Sequence, residues 1–556
     1  MSAEAVTNRE YNCSPDHVDV SLRGRGVKTI ASLLAILLVF GIHALYLRGV
    51  AEDAFISFRF AEHLAAGHGL VWNIGEQPVE GYTNFLWVLL CAWATRAGLD
   101  VVRVSQVIGV AASVVTIVGT YAFAHRVLEL PRRVGLLPAL LLAVAGPFAT
   151  WATSGMETSL FGMLLLASSF LLTVWARSGA AVHLAAASVA TLVATLTRPE
   201  GLLAAGVYAL VVAALVWRRR ERPGWDAWLA VAVYIVPFAM YMLWRYSYFG
   251  FVLPNTFYAK TGGSTFQYLR GAKYVGLFVV QFVLLPFAPL LLVRGWRSAG
   301  ASLPAVRSFS VALGGGLIVA FGLYFVYVGG DYMAMYRFIV PLLPFVYLLV
   351  TVRLWQWLRS RSAACAPAVV TASVVLAVGV TAVQSTPLEA RLFPKPEFMH
   401  GTYRGVQYER RYVARFTVIG RFFRDYKCDD SDSIALEPIG AIPYYSRLIT
   451  HSAHGIVDPV IAHKRFADRT LGQGLPGHEK IDWLHAISKK PTYILFSRQL
   501  RPQPEPFPRY PEPIDVLVRP NYRLQSTWLD DPGNGESGYF TFLERAGARE
   551  VACRGR

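Results

Sequence analysis

The feature that most constrains the fold is a series of about eleven apolar runs, each of roughly 17–23 residues, the length that a helix needs to cross a bilayer. The chain is 54% hydrophobic and only 16% charged, whereas soluble domains average about 25% charged residues. The runs lie near residues 30–49, 104–125, 134–150, 159–176, 182–198, 201–217, 227–246, 271–293, 309–328, 336–352 and 365–383. The sequence therefore predicts a polytopic α-helical membrane protein.

The positive charge of the chain predicts how these runs are oriented. The formal net charge is +17, and much of it sits in short arginine clusters between the runs. Such clusters are typical of cytoplasmic loops, so an N-terminus inside the cell puts each of them in the cytoplasm. The segments then predicted outside are 51–83, 151–158, 198–200, 247–270, 329–334 and everything after about 384. No basic and aromatic alternation typical of single-stranded nucleic-acid binding is present, so no nucleic acid is predicted as a partner.

One apolar segment, residues 84–98, is too short for this pattern. It has only about fourteen apolar residues, a length more typical of a re-entrant or interfacial helix. If it crossed the membrane, every later loop would change sides and the arginine clusters would lie outside. We therefore predict a short, partly inserted helix.

The composition changes near Ser385, where charged, aromatic and proline residues become more frequent and apolar runs end. We predict three parts: a cytoplasmic tail (1–28), a membrane domain (29–384) and an extracytoplasmic, periplasmic domain (385–556). The last part is long enough for one small α/β or α+β domain.

Short strands and a helix are predicted within this C-terminal domain. Apolar alternation in Ser433–Leu436 and Pro491–Phe496 is typical of strands, and Asp482–Ser488 between them is predicted to be helical. The five cysteines show no metal-binding spacing. Cys428 and Cys553 either pair as a disulfide, which an extracytoplasmic location permits, or remain two free thiols.

Two adjacent carboxylates, Glu52 and Asp53, follow the first apolar run at the predicted membrane boundary. Charged groups are costly to desolvate there and commonly mark a site of chemistry. Polar residues recur in all the outside loops, and the candidates are Arg59, Tyr82, Asn84, Glu157, Arg198, Glu200, Lys260, Asp331 and Arg337. Because these loops are predicted on one face, we expect them to converge.

These residue types indicate a group-transfer site at the membrane surface. Asp53 is predicted to deprotonate an acceptor hydroxyl as a general base, and Glu52 to tune Asp53 or bind a metal. The cations predicted to hold a donor phosphate are Arg59, Lys260, Arg337 and Arg198. The residues predicted to shape the acceptor pocket are Tyr82, Asn84, Glu157, Glu200, Asp331 and His478.

Alternatives remain for several of these residues. Asp53 could instead form a structural pair with Arg59, and Asp331 with Arg337. A divalent metal ion is the one candidate cofactor, with Asp331, Glu157 and Glu200 as candidate ligands. No Gly-rich nucleotide loop is present, so we expect a donor carried on a lipid phosphate that enters from the membrane.

Several stretches together resemble GT-C glycosyltransferases and, more narrowly, bacterial relatives of the mycobacterial terminal arabinofuranosyltransferase. The stretches are Glu52–Phe60, Gly67–Asn73, Glu80–Asn84, Gly329–Met333 with Arg337–Phe338, Gly440–Tyr445, Asp458–Ala462 and Gly477–Lys480. They cover both the membrane part and the C-terminal part.

The resemblance implies an enzyme of the bacterial inner membrane with a GT-C fold. Such enzymes transfer a sugar, often D-arabinofuranose, from a polyprenyl-phosphate donor to an extracytoplasmic glycan or protein acceptor. The acidic residue that serves as their base corresponds to Asp53. Many relatives carry two aspartates there, whereas this chain has Glu52 before Asp53, so the role of Glu52 stays open.

Two other classes of function are compatible with a chain of this kind. A lipid-linked sugar transporter or flippase would place ionisable residues near the membrane midplane and often shows repeat symmetry. A scaffold that only anchors the C-terminal domain would need far fewer spans. The gathering of acids at one face favours an enzyme over both.

Overall fold

The fold is described from a computed structural model, which describes residues 15–220, 222, 224–260, 263–287, 305–359, 366–388, 391, 403–465, 474 and 476–548. The helices of the membrane part are α1 (Pro15–Tyr46), α2 (Ala54–Ala65), α3 (Phe85–Arg96), α4 (Val101–Ala122), α5 (Arg132–Val144), α6 (Gly146–Ala152), α7 (Thr158–Ser178), α8 (Ala181–Thr197), α9 (Gly201–Arg219), α10 (Trp225–Phe249), α11 (Asn255–Lys260), α12 (Thr265–Val279), α13 (Ala305–Val328), α14 (Leu343–Arg359) and α15 (Ala366–Gln384).

The structure confirms a polytopic helical membrane protein, and each predicted run overlaps at least one described helix. Eight helices within the described ranges are long and apolar enough to cross a membrane. A ninth span results if α5 and α6, bent by 64° at their junction, act together. The apolar segments Ala181–Thr197 and Thr371–Gln384 are shorter. The predicted count of about eleven spans is therefore not confirmed.

Helix α3 occupies the short apolar segment at 84–98. It has 12 residues, so at a rise of about 1.5 Å per residue it extends roughly 18 Å, well short of a hydrocarbon core of about 30 Å. It packs against α2. The chain then turns at Gly98, and Asp100 caps α4 by accepting hydrogen bonds from the backbone N–H groups of Val102 and Arg103.

The C-terminal part contains a five-stranded mixed sheet in the order β2-β1-β3-β5-β4. Its strands are β1 (Ser433–Leu436), β2 (Ile449–Ser452), β3 (Tyr493–Ile494), β4 (Tyr522–Asp531) and β5 (Glu536–Arg545). Strand β1 lies parallel to β2 and β3, while β5 runs antiparallel to β3 and β4. Its helices are α16 (Tyr403–Tyr426), α17 (Ala441–Ser446), α18 (Pro459–His463), α19 (Trp483–Ser488) and α20 (Glu512–Val518).

This region confirms the predicted strands at Ser433–Leu436 and within Pro491–Phe496, and the predicted helix that ends at Ser488. All five strands follow residue 432, as the composition change suggested, although the predicted domain boundaries themselves stay predictions. Cys428 is disulfide-bonded, and its predicted partner Cys553 lies outside the described residues.

The C-terminal part contacts the loop between α2 and α3 through buried polar groups. Asn73 accepts a hydrogen bond from the Thr450 backbone N–H (2.9 Å) and donates one to the Thr450 carbonyl (3.1 Å). The Trp72 indole N–H donates to the same carbonyl at 3.3 Å. Such paired buried groups fix the register of β2 against the loop.

Candidate active site

A cavity of about 440 Å³ lies where the outside loops meet. All five predicted outside loops contribute to its wall, together with the segment around Gly477. The predicted site residues that line it are Asp53, Tyr82, Asn84, Glu157, Arg198, Glu200, Lys260, Asp331 and Arg337. The expected convergence of the loops is therefore observed. The roles assigned to the residues stay predictions.

Three of the acids sit at helix N-termini that point to this cavity. Asp53, Glu157 and Glu200 are the N-cap residues of α2, α7 and α9. In none of them does the side chain cap its own helix. Helix N-termini carry a partial positive charge and attract anions, so these positions favour both the carboxylates and an incoming phosphate.

Arg198 joins two of these acids. Its Nη1 donates to Glu157 Oε1 at 2.7 Å, and its Nη2 and Nε donate to the two carboxylate oxygens of Glu200 at 2.7 and 3.2 Å. Asn84 donates to the second oxygen of Glu157 at 2.7 Å. Because all three guanidinium nitrogens are already engaged, Arg198 primarily holds the wall of the cavity in place.

A second network surrounds Asp53. Arg337 Nε lies 2.8 Å from Asp331 Oδ2, and its Nη1 lies 3.8 Å from Asp53 Oδ2. The Tyr332 hydroxyl donates to Asp53 Oδ1 at 3.1 Å. The His478 ring packs edge-on against Tyr332, with the ring centroids 4.7 Å apart. Asp53 thus faces the cavity with one cation and one hydroxyl beside it.

Lys260 brings a further positive charge from α11. Burial lowers the pKa of its ammonium, although Asp53 and Asp331 nearby oppose that shift. Gly477 packs against the Lys260 side chain so closely that a Cβ there would lie 3.0–3.2 Å from its carbons. A half-buried lysine that forms no ion pair with a described carboxylate is suited to bind an anionic ligand.

Glu52 points away from the cavity, and the structure gives it a different environment from Asp53. Its Oε1 accepts hydrogen bonds from the backbone N–H groups of Gly440 (2.6 Å) and Ala441 (3.1 Å). Its own N–H donates to Glu409 Oε1 at 2.7 Å. Burial, with Asp53 and Glu409 close by, raises the pKa of Glu52 to about 8. We call this group of contacts between Glu52, Glu409 and Gly440–Ala441 the carboxyl clasp.

Arg59 also lies outside the cavity. Its guanidinium donates to the backbone carbonyls of Trp72, Pro443 and Leu448 and to the side-chain oxygen of Asn73, at 2.6–3.1 Å. The geometry therefore does not bring the predicted phosphate ligand Arg59 to the site. It does not pair Arg59 with Asp53 either. Arg59 ties α2 to the C-terminal part.

Several residues at or near the site were not predicted from the sequence. The buried hydroxyl of Thr256 lines the cavity beside that of Tyr82, which was predicted, and neither has a hydrogen-bond partner within the described part of the chain. Glu80, next to Tyr82 in the loop, pairs with Arg245 of α10 at 2.7 Å, and both are buried. Glu409, which accepts a hydrogen bond from the Glu52 N–H, is an acid within the basic, amphipathic helix α16. That position was the one sequence signal for this contact.

The predicted divalent metal ion has no suitable set of ligand side chains among the described residues. No group of three or more His, Cys, Asp or Glu side chains in the ranges given above is arranged to hold a metal ion. Two of the candidate ligands, Glu157 and Glu200, bind Arg198 instead. These residues do not fit a metal site, and no step below uses one.

Known proteins resemble this chain in sequence and fold. Residues 401–547 match a family described only as a domain of unknown function, DUF8728. The terminal β-(1→2)-arabinofuranosyltransferase of Mycobacterium tuberculosis is 28% identical over 352 residues, covering 56% of this chain and 53% of that protein. The enzyme of the same name from Corynebacterium glutamicum is 29% identical over 332 residues, covering 53% and 46%. The chain thus spans about half the length of these curated relatives.

The fold agrees with this similarity. The apo structure of ArnT from Cupriavidus metallidurans superposes with a TM-score of 0.50 at 14% identity, covering 94% of this chain and 98% of ArnT. The predicted resemblance is confirmed: the chain is a multi-pass membrane protein with the GT-C glycosyltransferase fold and with sequence similarity to terminal β-(1→2)-arabinofuranosyltransferases.

Proposed function

We propose that the chain is a membrane glycosyltransferase that moves a sugar from a polyprenyl-phosphate donor to an extracytoplasmic glycan or protein acceptor. The observation that carries this proposal is the placement of Asp53 in a cavity beside Arg337 and Lys260. A base beside a pair of cations that bind phosphate is what lipid-linked glycosyl transfer requires.

In the proposed step, the acceptor hydroxyl oxygen attacks the anomeric carbon of the donor sugar and forms the new glycosidic bond. The bond from that carbon to the phosphate oxygen breaks, and its electron pair leaves with the phosphate. The hydroxyl proton passes to Asp53, while Lys260 and Arg337 stabilise the added negative charge. A single displacement of this kind inverts the anomeric carbon, and a glycosyl-enzyme adduct trapped on Asp53 would contradict it.

The sugar proposed is D-arabinofuranose. Both curated relatives are named as arabinofuranosyltransferases. The unpartnered hydroxyls of Tyr82 and Thr256 supply groups to which sugar hydroxyls can bond inside the cavity. A buried hydroxyl without a hydrogen-bond partner is costly. Hydrogen bonds from a bound sugar to these two hydroxyls would remove that cost and so favour binding.

The proposed location is the inner membrane of a bacterium, with the arginine clusters inside and the C-terminal part in the periplasm. The disulfide at Cys428 supports an oxidising compartment for that part. A transporter of the same lipid-linked sugar is the rival function. It would place charged residues at mid-membrane, whereas Asp53, Glu157 and Glu200 lie at helix ends.

The test is transfer by the purified full-length protein from a panel of synthetic polyprenyl-phosphate sugars to oligosaccharide acceptors. Wild type should transfer arabinofuranose, and Asp53→Asn should lose transfer by about 10²–10⁴-fold. Asp430→Asn, at a carboxylate whose side chain is 97% exposed, is the matched control. Movement of the donor across proteoliposome membranes without any transfer would instead establish the transporter.

A further inference from the structure

A second cavity, of about 420 Å³, lies between the end of α1, the turn from α3 to α4, and helices α16 and α17. It shares no lining residue with the charged cavity around Asp53. Its walls include the side chains of Arg48, Arg103 and Arg421. Its size is within the range of sites that bind small molecules or lipid headgroups.

The electrostatics of this second cavity favour an anion. Three guanidinium groups face one carboxylate, that of Asp100. Asp100 Oδ1 is already engaged by the backbone N–H groups that it caps, and its Oδ2 lies 3.5 Å from Arg103 Nε. Two positive charges therefore remain uncompensated by the lining residues.

The three arginines retain donors for a ligand. Arg48 Nη2 donates to Gln106 at 3.0 Å, and the Arg421 guanidinium lies over the Tyr445 ring at 5.3 Å from its centroid. These contacts orient both side chains but use few of the five N–H donors that a guanidinium carries. The planar fork of such donors matches the oxygens of a phosphate.

The position of the cavity indicates where the anion comes from. Helix α1 ends at Tyr46, two residues before Arg48, and α4 begins at Val101. Both helices are candidate membrane spans, so their ends lie at the level of the lipid headgroups. Leu99, which lines the cavity, and Leu45, in the last turn of α1, are 48% and 69% exposed, as expected for side chains that meet lipid. Guanidinium groups at this level are placed to pair with the phosphates of anionic lipid headgroups.

We propose that this cavity binds the phosphate headgroup of an anionic phospholipid of the surrounding membrane, with Arg48, Arg103 and Arg421 as its cations. Tyr444 and Tyr445 also line the cavity. The lipid would join the ends of two spans to the C-terminal helices. This site is independent of the proposed transfer reaction, and no bond is made or broken in it.

The experiment measures lipid binding to the full-length protein purified in a neutral detergent. The probes are fluorescent phosphatidylglycerol, phosphatidylcholine with the same label, and inorganic phosphate as a competitor. The variants are Arg48→Gln/Arg421→Gln and Arg103→Gln; Arg103 has a side chain that is 81% exposed, so its replacement should leave folding intact. Arg424→Gln is the control, one turn from Arg421 on α16 and outside the cavity.

Wild type and Arg424→Gln should bind phosphatidylglycerol in preference to phosphatidylcholine. Arg103→Gln and the double variant should weaken that binding by about tenfold or more, because each loses a charge-assisted contact. Unchanged binding in both of these variants, or an equal loss in Arg424→Gln, would overturn the proposal. Displacement of the lipid by inorganic phosphate at equal concentration would overturn the assignment of a lipid as the ligand.

Discussion

Two neighbouring carboxylates, Glu52 and Asp53, belong to regions with different tasks. Glu52 lies in the carboxyl clasp, where backbone N–H groups of the C-terminal part bind its side chain. Asp53 faces the charged cavity, where a tyrosine hydroxyl and a guanidinium lie beside it. Two acids that are adjacent in sequence therefore need not form one functional unit, since the partners that the fold supplies decide what each does.

The two regions also differ in their electrostatics. In the clasp, burial raises the pKa of Glu52 to about 8 and that of Glu409 to about 7, so the fold favours neutral carboxyls there. In the cavity, Arg198 and Arg337 lie within ion-pair distance of acidic side chains, so groups of opposite charge stand side by side. The clasp therefore holds parts together, and the cavity keeps charge available for a ligand.

The largest effect should come from breaking the cavity wall at Arg198. Arg198→Met leaves Glu157 and Glu200 buried without their partner, which typically costs about 3–5 kcal/mol. We expect a large fall in the free energy of unfolding, measured by denaturant titration in detergent, together with loss of transfer. A stable Arg198→Met variant that fails only in donor binding would instead make Arg198 a phosphate ligand.

The next largest effect on stability should come from a substitution in the carboxyl clasp. A Cβ at Gly440 would lie 2.1 Å from the Glu52 carbonyl oxygen, so Gly440→Ala must push the clasp apart. We expect a loss of about 1–3 kcal/mol, as for other overpacked sites. Gly276→Ala, with no atom within 4 Å of the added Cβ, is the control. If Gly440→Ala and Gly276→Ala were equally stable, the clasp would not contribute to the stability of the fold.

The clasp should also make stability depend on pH. The pKa of Glu52 is about 8 in the folded protein and near 4.5 when unfolded, so its contribution is complete below about pH 4.5 and is lost as pH rises towards 8. We expect the free energy of unfolding of the wild type to fall across this window, and Glu52→Gln to flatten the curve. A stability that rises with pH in wild type but not in Glu52→Gln would contradict the neutral clasp.

The smallest effect on stability should come from replacing Lys260 in the cavity wall. Lys260→Met removes one cation without leaving a described carboxylate unpaired, so the melting temperature should stay within a few degrees of wild type. The KM for the lipid-phosphate donor should rise about tenfold, the value of one charge-assisted hydrogen bond. An unchanged donor KM would exclude Lys260 from phosphate binding.

Much of the fold and of the site could be predicted from local patterns. The lengths of the apolar runs predicted the helices. The positive-inside pattern predicted that five polar loops share one face, and many of the residues expected from those loops do line one cavity. The Asn534-Gly535 pair between β4 and β5 is a strong hairpin signal, so this turn is also encoded by a local pattern.

Other features depended on contacts that no local pattern contains. Glu52 bonds to Gly440, 388 residues away along the chain, and Arg59 bonds to the Pro443 carbonyl, 384 residues away. A backbone N–H or carbonyl is available at almost every residue, so the sequence cannot show which one a side chain will reach. For this reason Arg59 was predicted as a phosphate ligand, and the clasp was not predicted at all.

The most direct test of the division between these two acids compares Asp53→Asn with Glu52→Gln in one assay. Transfer kinetics and the melting temperature are measured for both variants at pH 7. Asp53→Asn should lose kcat by about 10²–10⁴-fold with its melting temperature unchanged, whereas Glu52→Gln should keep a kcat near that of wild type. Retained turnover in Asp53→Asn, or an equal loss of turnover in both variants, would contradict the account.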